Sequence, residues 1–287
     1  MKIIDTFCLW CDLLGYGSPF INTNWNLHSE EARKNFQRVT KLQYLFRSIG
    51  FYPIEKSLIL NDGFIRSVDV VDFPQGIQGY IYWLNSILDN FNVLNSVDQE
   101  GGFPGVRGVL TYGQRFEYMN DSVTAGDIVQ TSPERKKKYE KLTLIYSPKE
   151  FQMNTAFSKA YIIENSGSRA GIYGSNLYID YMFLNEFKEL IENSKTSKYL
   201  RIDSDPGYDD QGNEIFEIPV SFKVRMFEDT EYFHYEILHY LESTNETLVK
   251  IWFEKQPVEY SDKGINTKLY RVIKYKPYDE EDTEITF

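Results

Sequence analysis

With 287 residues, 42 % of them hydrophobic and 16 % aromatic, the chain is long and apolar enough to bury a substantial core. Its formal charge of −11 argues against a dedicated nucleic-acid binder, which normally carries a basic footprint, but leaves room for a nucleotide held in a locally positive site. Charge interrupts every apolar run well short of the ~18–20 residues a membrane helix requires, and no leader-type cleavage pattern follows the first run, so the expectation is a cytoplasmic protein with no membrane and no nucleic-acid partner.

In chain order, the first element expected is a strand running into FCLWCDLLGYG at 7–17, apolar until Asp12 and then loosened by Gly15 and Gly17. Both cysteines, Cys8 and Cys11, lie in this run as C-x-x-C. On a strand, residues three apart face opposite sides, and neither a second cysteine pair nor a nearby histidine exists, so they are read as structural, half-buried thiols. After a polar-aromatic connector at 18–27, Ser29 is placed to cap a helix that carries Glu30 and Glu31 in its first turn and closes at Gly50. A strand over 55–60, the turn Asn61-Asp62-Gly63 and a strand over 64–71 form a hairpin, with Gly63 expected to take the positive φ of a tight turn. A Pro/Gly loop at 73–79 leads to an amphipathic helix over 80–94. A glycine-rich break then precedes a strand over 106–112 that contains Arg107-Gly108 and ends at Gly113.

The order so far is β-α-β-β-α-β, the split pattern of a ferredoxin-like sheet. Residues 119–141 look like a polar surface insertion, with the basic run 135–138 on a solvated face. A strand at 142–146, a helix over 149–164 with Asn154 in its interior, a strand or hairpin at 170–180 and a helix over 181–193 follow. From 195 onward the texture becomes β-rich: an acidic turn region at 203–214, strands over 217–227, 247–255 and 268–275, a helix between 231 and 242, and an acidic end at 279–284. The fold class expected is α+β. It comprises a ferredoxin-like core domain over 1–194 and a β-rich C-terminal extension over 195–287 packed on it.

The chemistry-bearing feature is the pair Asp12 and Asp62. On this frame they end neighbouring central strands at one edge of the sheet, where two carboxylates place oxygen ligands around a hard divalent cation. Gly15 and Gly17 let backbone amides approach a triphosphate. The plainer alternative makes Asp12 a cap and Asp62 an ordinary turn residue. Arg107 likewise has two readings, a substrate contact or an ion pair with a nearby carboxylate. No nucleophile elbow, Walker-A loop or zinc motif competes with this pair.

These features together are a strand ending in Asp-Leu-Leu-Gly-Tyr, a hairpin aspartate, Arg107-Gly108 before Gly113, and a helix closing on Ala160-Tyr161-Ile162-Ile163-Glu164. They resemble the catalytic domain of class III nucleotidyl cyclases, closest to compact bacterial forms that include the pyrimidine cyclases of anti-phage defence. The resemblance covers roughly 7–180. It implies that Asp12 and Asp62 bind two Mg²⁺ or Mn²⁺ ions and that Leu13, Leu14 and Gly15 face the triphosphate of a nucleoside triphosphate substrate. It further implies a homodimer with sites at the interface, in which helix residues of one copy serve the metal pair of the other. Asn154 and Ser158, together with Arg107, are the positions carried over for catalysis and nucleotide binding, and Lys159 and Arg169 are the nearby cations that could stand in for a missing arginine. The chain departs from the family where that helix normally supplies an arginine. Counting from Asn154 puts Ser158 there, and counting from Ala160 and Glu164 puts Ile162 there. Leu58 stands where many members read a purine, which leaves the base unassigned. The alternatives to an active cyclase are a cyclase-like module that binds nucleotide or only dimerises, and a palm-like nucleotidyltransferase.

Overall fold

The computed structural model describes residues 2–48, 55–71, 77–117, 150–193, 197–200, 207–208, 214–215, 217–241, 244–277 and 283–287. Strand β1 (Lys2–Leu13) is the spine. Its alternation sends Phe7, Leu9, Cys11 and Leu13 into one core and Cys8 and Trp10 into a second core on the opposite face. The two thiols therefore diverge as expected, and both are fully buried rather than half-buried.

The chain continues through α1 (Ser18–Asn22), α2 (Glu30–Ser48), β2 (Lys56–Leu60), β3 (Gly63–Asp69), α3 (Ile77–Glu100) and β4 (Val106–Glu117). Ser29 caps α2, its Oγ accepting the Ala32 amide at 3.1 Å. These strands lie side by side as β2-β3-β1-β4, every neighbour antiparallel, so β1 sits between the hairpin strand β3 and β4. Helices α2 and α3 cover one face of this unit. Helix α4 (Thr155–Ser166) covers the other, placing Ala156, Ala160 and Ile163 against Trp10, Ile65 and Val109.

The molecule is a mixed α/β protein built on one large sheet. Strand β5 (Leu177–Asp180) runs parallel to β4, and α5 (Tyr181–Glu192) returns to the α2/α3 face. The remaining strands are β6 (Ser197–Leu200), β7 (Gly207–Tyr208), β8 (Glu214–Ile215), β9 (Glu217–Glu228), β10 (Tyr232–Leu241), β11 (Thr244–Glu254), β12 (Val258–Asp262), β13 (Ile265–Lys276) and β14 (Ile285–Thr286). Because β13 pairs with β5, the sheet continues without a break as β5-β13-β11-β10-β9-β6. Among the described residues, no helix is long and apolar enough to cross a membrane.

Several local expectations are corrected. The segment expected as a helix between 231 and 242 is strand β10, clamped between β9 and β11. The helix expected from 149 starts at Thr155, because Asn154 is its N-cap and not an interior residue. The 80–94 helix extends over Ile77–Glu100, and the connector at 18–27 contains α1. The stretch 170–180 is strand only from Leu177, preceded by a 3₁₀ turn over Gly167–Ala170. Strand β4 does not stop at Gly113. It runs on to Glu117, and Gly113 is needed because a Cβ there would lie 2.5 Å from the Ala156 amide where α4 packs. The insertion at 119–141, its basic run at 135–138, the strand expected at 142–146 and most of the acidic segments at 203–214 and 279–284 lie outside the described residues.

Candidate functional site

The antiparallel register sets Asp12 opposite Gly63 of β3 on one side and opposite Arg107 of β4 on the other. The Leu13 amide donates to the Asp62 carbonyl at 3.1 Å, tying the hairpin turn to the end of β1. The two aspartates thus arrive at one edge from adjacent strands. Burial, then the carboxylates of Glu164 and Asp62, push the Asp12 carboxyl up to about 7, with Arg107 and Arg38 pulling against them. Asp62 is raised by burial, against its own backbone hydrogen bond and the charge of Arg38. Among the described residues, no group of three or more His, Cys, Asp or Glu side chains is arranged to hold a metal ion. The donor set is a pair. Two adjoining carboxylates that are desolvated and repelling suit a hard cation that takes one or two protein oxygens and fills its shell with water and phosphate.

The turn after Asp12 is built from behind. Arg38 of α2 holds both oxygens of Asp98 at 2.7 and 2.8 Å and donates to the Leu14 carbonyl at 2.9 Å. Asp98 in turn accepts the Gly105 amide at 3.0 Å, and the Leu14 amide donates to the Gly105 carbonyl at 3.0 Å. This buried pair locks the loop before β4 to the loop after β1, which lets Gly15 take a φ of +72°. The amides of Leu13, Leu14 and Tyr16 are all spent on backbone carbonyls, so of the segment expected to face a triphosphate only Gly15 has its amide in play. Among the described residues, the Gly15 and Gly17 amides meet no acceptor. Tyr16 lies close by, its phenol raised by burial and then by Asp62.

Gly63 was expected to serve by a positive φ, but that conformation belongs to Asn61, at φ +49°. What Gly63 provides is space, because a Cβ there would fall 2.0 Å from the Trp10 ring. Arg107 adopts the ion-pair alternative. Its Nε and Nη2 grip Glu164 Oε1 at 2.8 and 2.5 Å, and Nη1 reaches the Ile172 carbonyl at 3.4 Å. The Trp10 indole N–H donates to the second oxygen of Glu164 at 3.4 Å.

The remaining helix positions lie elsewhere. Asn154 accepts the Phe157 amide at 2.9 Å as the α4 cap and forms a bridge with Arg115. Ser158 Oγ donates to the Asn154 carbonyl at 2.9 Å, and Lys159 Nζ to the Tyr112 carbonyl at 3.2 Å. Tyr112 is five residues, about 17 Å of strand, from Arg107, and Arg115 about 27 Å from it. One chain therefore joins Asp12, Asp62, the Leu13–Gly15 turn and Arg107 at one end of the sheet, while Asn154 and Lys159 make their contacts further along β4, at Arg115 and Tyr112. Sequence reasoning did not single out Arg38, Trp10 or Glu164 as site residues. The A-Y-x-x-E ending of the helix pointed at Glu164, but only the fold brings it over Asp12.

No protein-family model matches the chain, and no curated protein matches it. Among solved structures, it is similar to the adenylyl cyclase CyaB from P. aeruginosa at a TM-score of 0.40 and 7 % identity, over 95 % of each chain. A likeness at that level adds nothing to what the strand order and the site geometry already state.

Proposed function

We propose that the chain is a nucleotidyl cyclase that closes a nucleoside triphosphate to a 3′,5′-cyclic nucleotide and releases pyrophosphate. The observation that carries this reading is the delivery of Asp12 and Asp62 to one sheet edge, both held above the usual carboxylate range, where the turn that follows Asp12 contains a Gly15 amide that meets no acceptor among the described residues. The β-α-β-β-α-β unit then serves as a cyclase core over 1–194, with 195–287 as an extension of its sheet. Two Mg²⁺ or Mn²⁺ ions bound by the aspartates would supply the charge that steadies the triphosphate and eases loss of the ribose 3′ proton. Asp12 and Asp62 hold that charge in place, and the Gly15 and Gly17 amides orient phosphate oxygens. The α4 residues Asn154, Ser158 and Lys159 then serve the reaction of a second copy, a reading supported by the contacts of Asn154 with Arg115 and of Lys159 with the Tyr112 carbonyl, well along β4 from Arg107. The product is a second messenger of the kind used in anti-phage defence, with a pyrimidine base compatible with the apolar Leu58.

A specific observation favours a second reading, a cyclase-like module without turnover: the Arg107 guanidinium is already occupied by Glu164, and α4 has no arginine at the family positions. Product analysis separates the two. The protein is incubated with ATP, GTP, CTP and UTP and Mn²⁺, with Asp12→Ala and Asp62→Ala alongside, and products are identified by mass spectrometry. A cyclic mononucleotide absent from both variants is expected. Linear or dinucleotide products would move the chain to the nucleotidyltransferases, and a folded, nucleotide-binding protein without product would establish the module.

A further inference from the structure

We infer that Trp10 and Glu164 are positioning residues that set the gap between the two metal-binding aspartates, an inference that rests on the metal-site reading above. Gly63 is the point of contact with the Trp10 ring. Its Cα lies so close under the Trp10 ring that a Cβ would meet Cη2 at 2.0 Å, Cζ2 at 2.6 Å and Cζ3 at 2.9 Å. The indole therefore rests directly on the residue following Asp62 and fixes how far the hairpin turn can approach β1. The ring cannot tilt freely, because its N–H is held by Glu164 at 3.4 Å, and Phe157 and Tyr161 of α4 pack against it with centroids 5.9 and 5.5 Å away. Glu164 is itself fixed by Arg107 at 2.8 and 2.5 Å. Arg107 and Gly63 are the two cross-strand neighbours of Asp12.

The contacts thus form an arch over Asp12, from Gly63 through Trp10 and Glu164 to Arg107, spanning the two strands that flank β1. An arch in van der Waals contact at one end and in an ion pair at the other holds the Asp62 turn against the repulsion between the carboxylates when no metal is bound. A misplacement of about 1 Å at a reacting centre costs on the order of a hundredfold in rate, so this arch bears directly on turnover.

The test uses the full chain and the variants Trp10→Phe, Glu164→Gln, Gly63→Ala and the double variant Trp10→Phe/Gly63→Ala. Three quantities are read: Mn²⁺ affinity by calorimetry, hydrogen exchange at 61–64 in the metal-free protein, and kcat separately from KM. Trp10→Phe and Glu164→Gln are expected to weaken Mn²⁺ binding and lower kcat by about tenfold or more, with KM within about twofold and faster exchange at 61–64. Gly63→Ala is expected to be worse than either, and adding Trp10→Phe should recover part of its loss, since the shorter ring leaves room for the methyl group. Wild-type Mn²⁺ affinity and wild-type exchange in Trp10→Phe and Glu164→Gln would overturn the inference. If the wild-type protein binds no Mn²⁺ and yields no product, the metal-site reading fails. The exchange at 61–64 then decides the positioning role alone, with unchanged rates in both variants counting against it.

Discussion

Between about pH 4 and pH 7 the folded chain keeps a proton on Asp12 that the unfolded chain releases, because burial, Glu164 and Asp62 hold that carboxyl up to about 7. Stability is therefore lost as pH rises through this window, the reverse of the behaviour of a salt-bridged aspartate. Asp12→Asn should be more stable than wild type by an amount that grows from pH 4, levels off above pH 7 and reaches on the order of 4 kcal/mol. Denaturant titrations at a series of pH values read this directly, and a pH-independent difference would refute it. Saturating Mn²⁺ should erase the wild-type penalty. Arg38 and Asp98 are paired, hydrogen-bonded and almost fully buried. Asp98→Ala strands a buried guanidinium and should cost about 3–5 kcal/mol in the same titrations.

At the scale of elements, α4 is tested at its cap. Asn154 caps it, so Asn154→Ala should cost about 1 kcal/mol, whereas Asn154→Asp keeps an oxygen acceptor and most of the stability. If Asn154 also serves the reaction, both variants lose turnover, and a matched comparison of thermal midpoints and kcat distinguishes the duties. Elements defined by local signals were legible in the sequence: β1, the hairpin, the Ser29 cap of α2 and the strong periodicity of α5. Strand β10 was not. Tyr232, Tyr235 and Leu238 recur at helical spacing, and only its flanking strands β9 and β11 select the alternation that turns Phe233, Tyr235 and Ile237 inward. The site divides in the same way. Asp12 and Asp62 follow from strand ends, which sequence shows. The close seat of Trp10 on Gly63 and the closure of Arg107 by Glu164 depend on contacts between residues 53 and 57 apart in the chain, for which no sequence signal exists.

At the scale of the whole molecule, one sheet carries both halves of the chain, and β13 joins the C-terminal strands to β5 beside β4. The separation of Asn154 and Lys159 from their own aspartates has a direct consequence if two copies share sites. A copy bearing Asp12→Ala and Asp62→Ala and a copy bearing Asn154→Ala and Lys159→Ala should each be inactive. Mixed and allowed to re-pair, they should regain about a quarter of wild-type turnover, since half the pairs are mixed and each has one intact site. No recovery from verified mixed pairs would place the whole reaction within one chain. Whichever copy supplies the helix residues, Asp12 and Asp62 together are proposed to make one metal-dependent nucleotide site. It is tested most directly by titrating Mn²⁺, at pH 8 and with a non-reactive nucleoside triphosphate analogue present, into wild type, Asp12→Asn and Asp62→Asn. Binding by wild type that drops at least tenfold in each single variant is the predicted result. Equal binding in all three, or none in any, would contradict it.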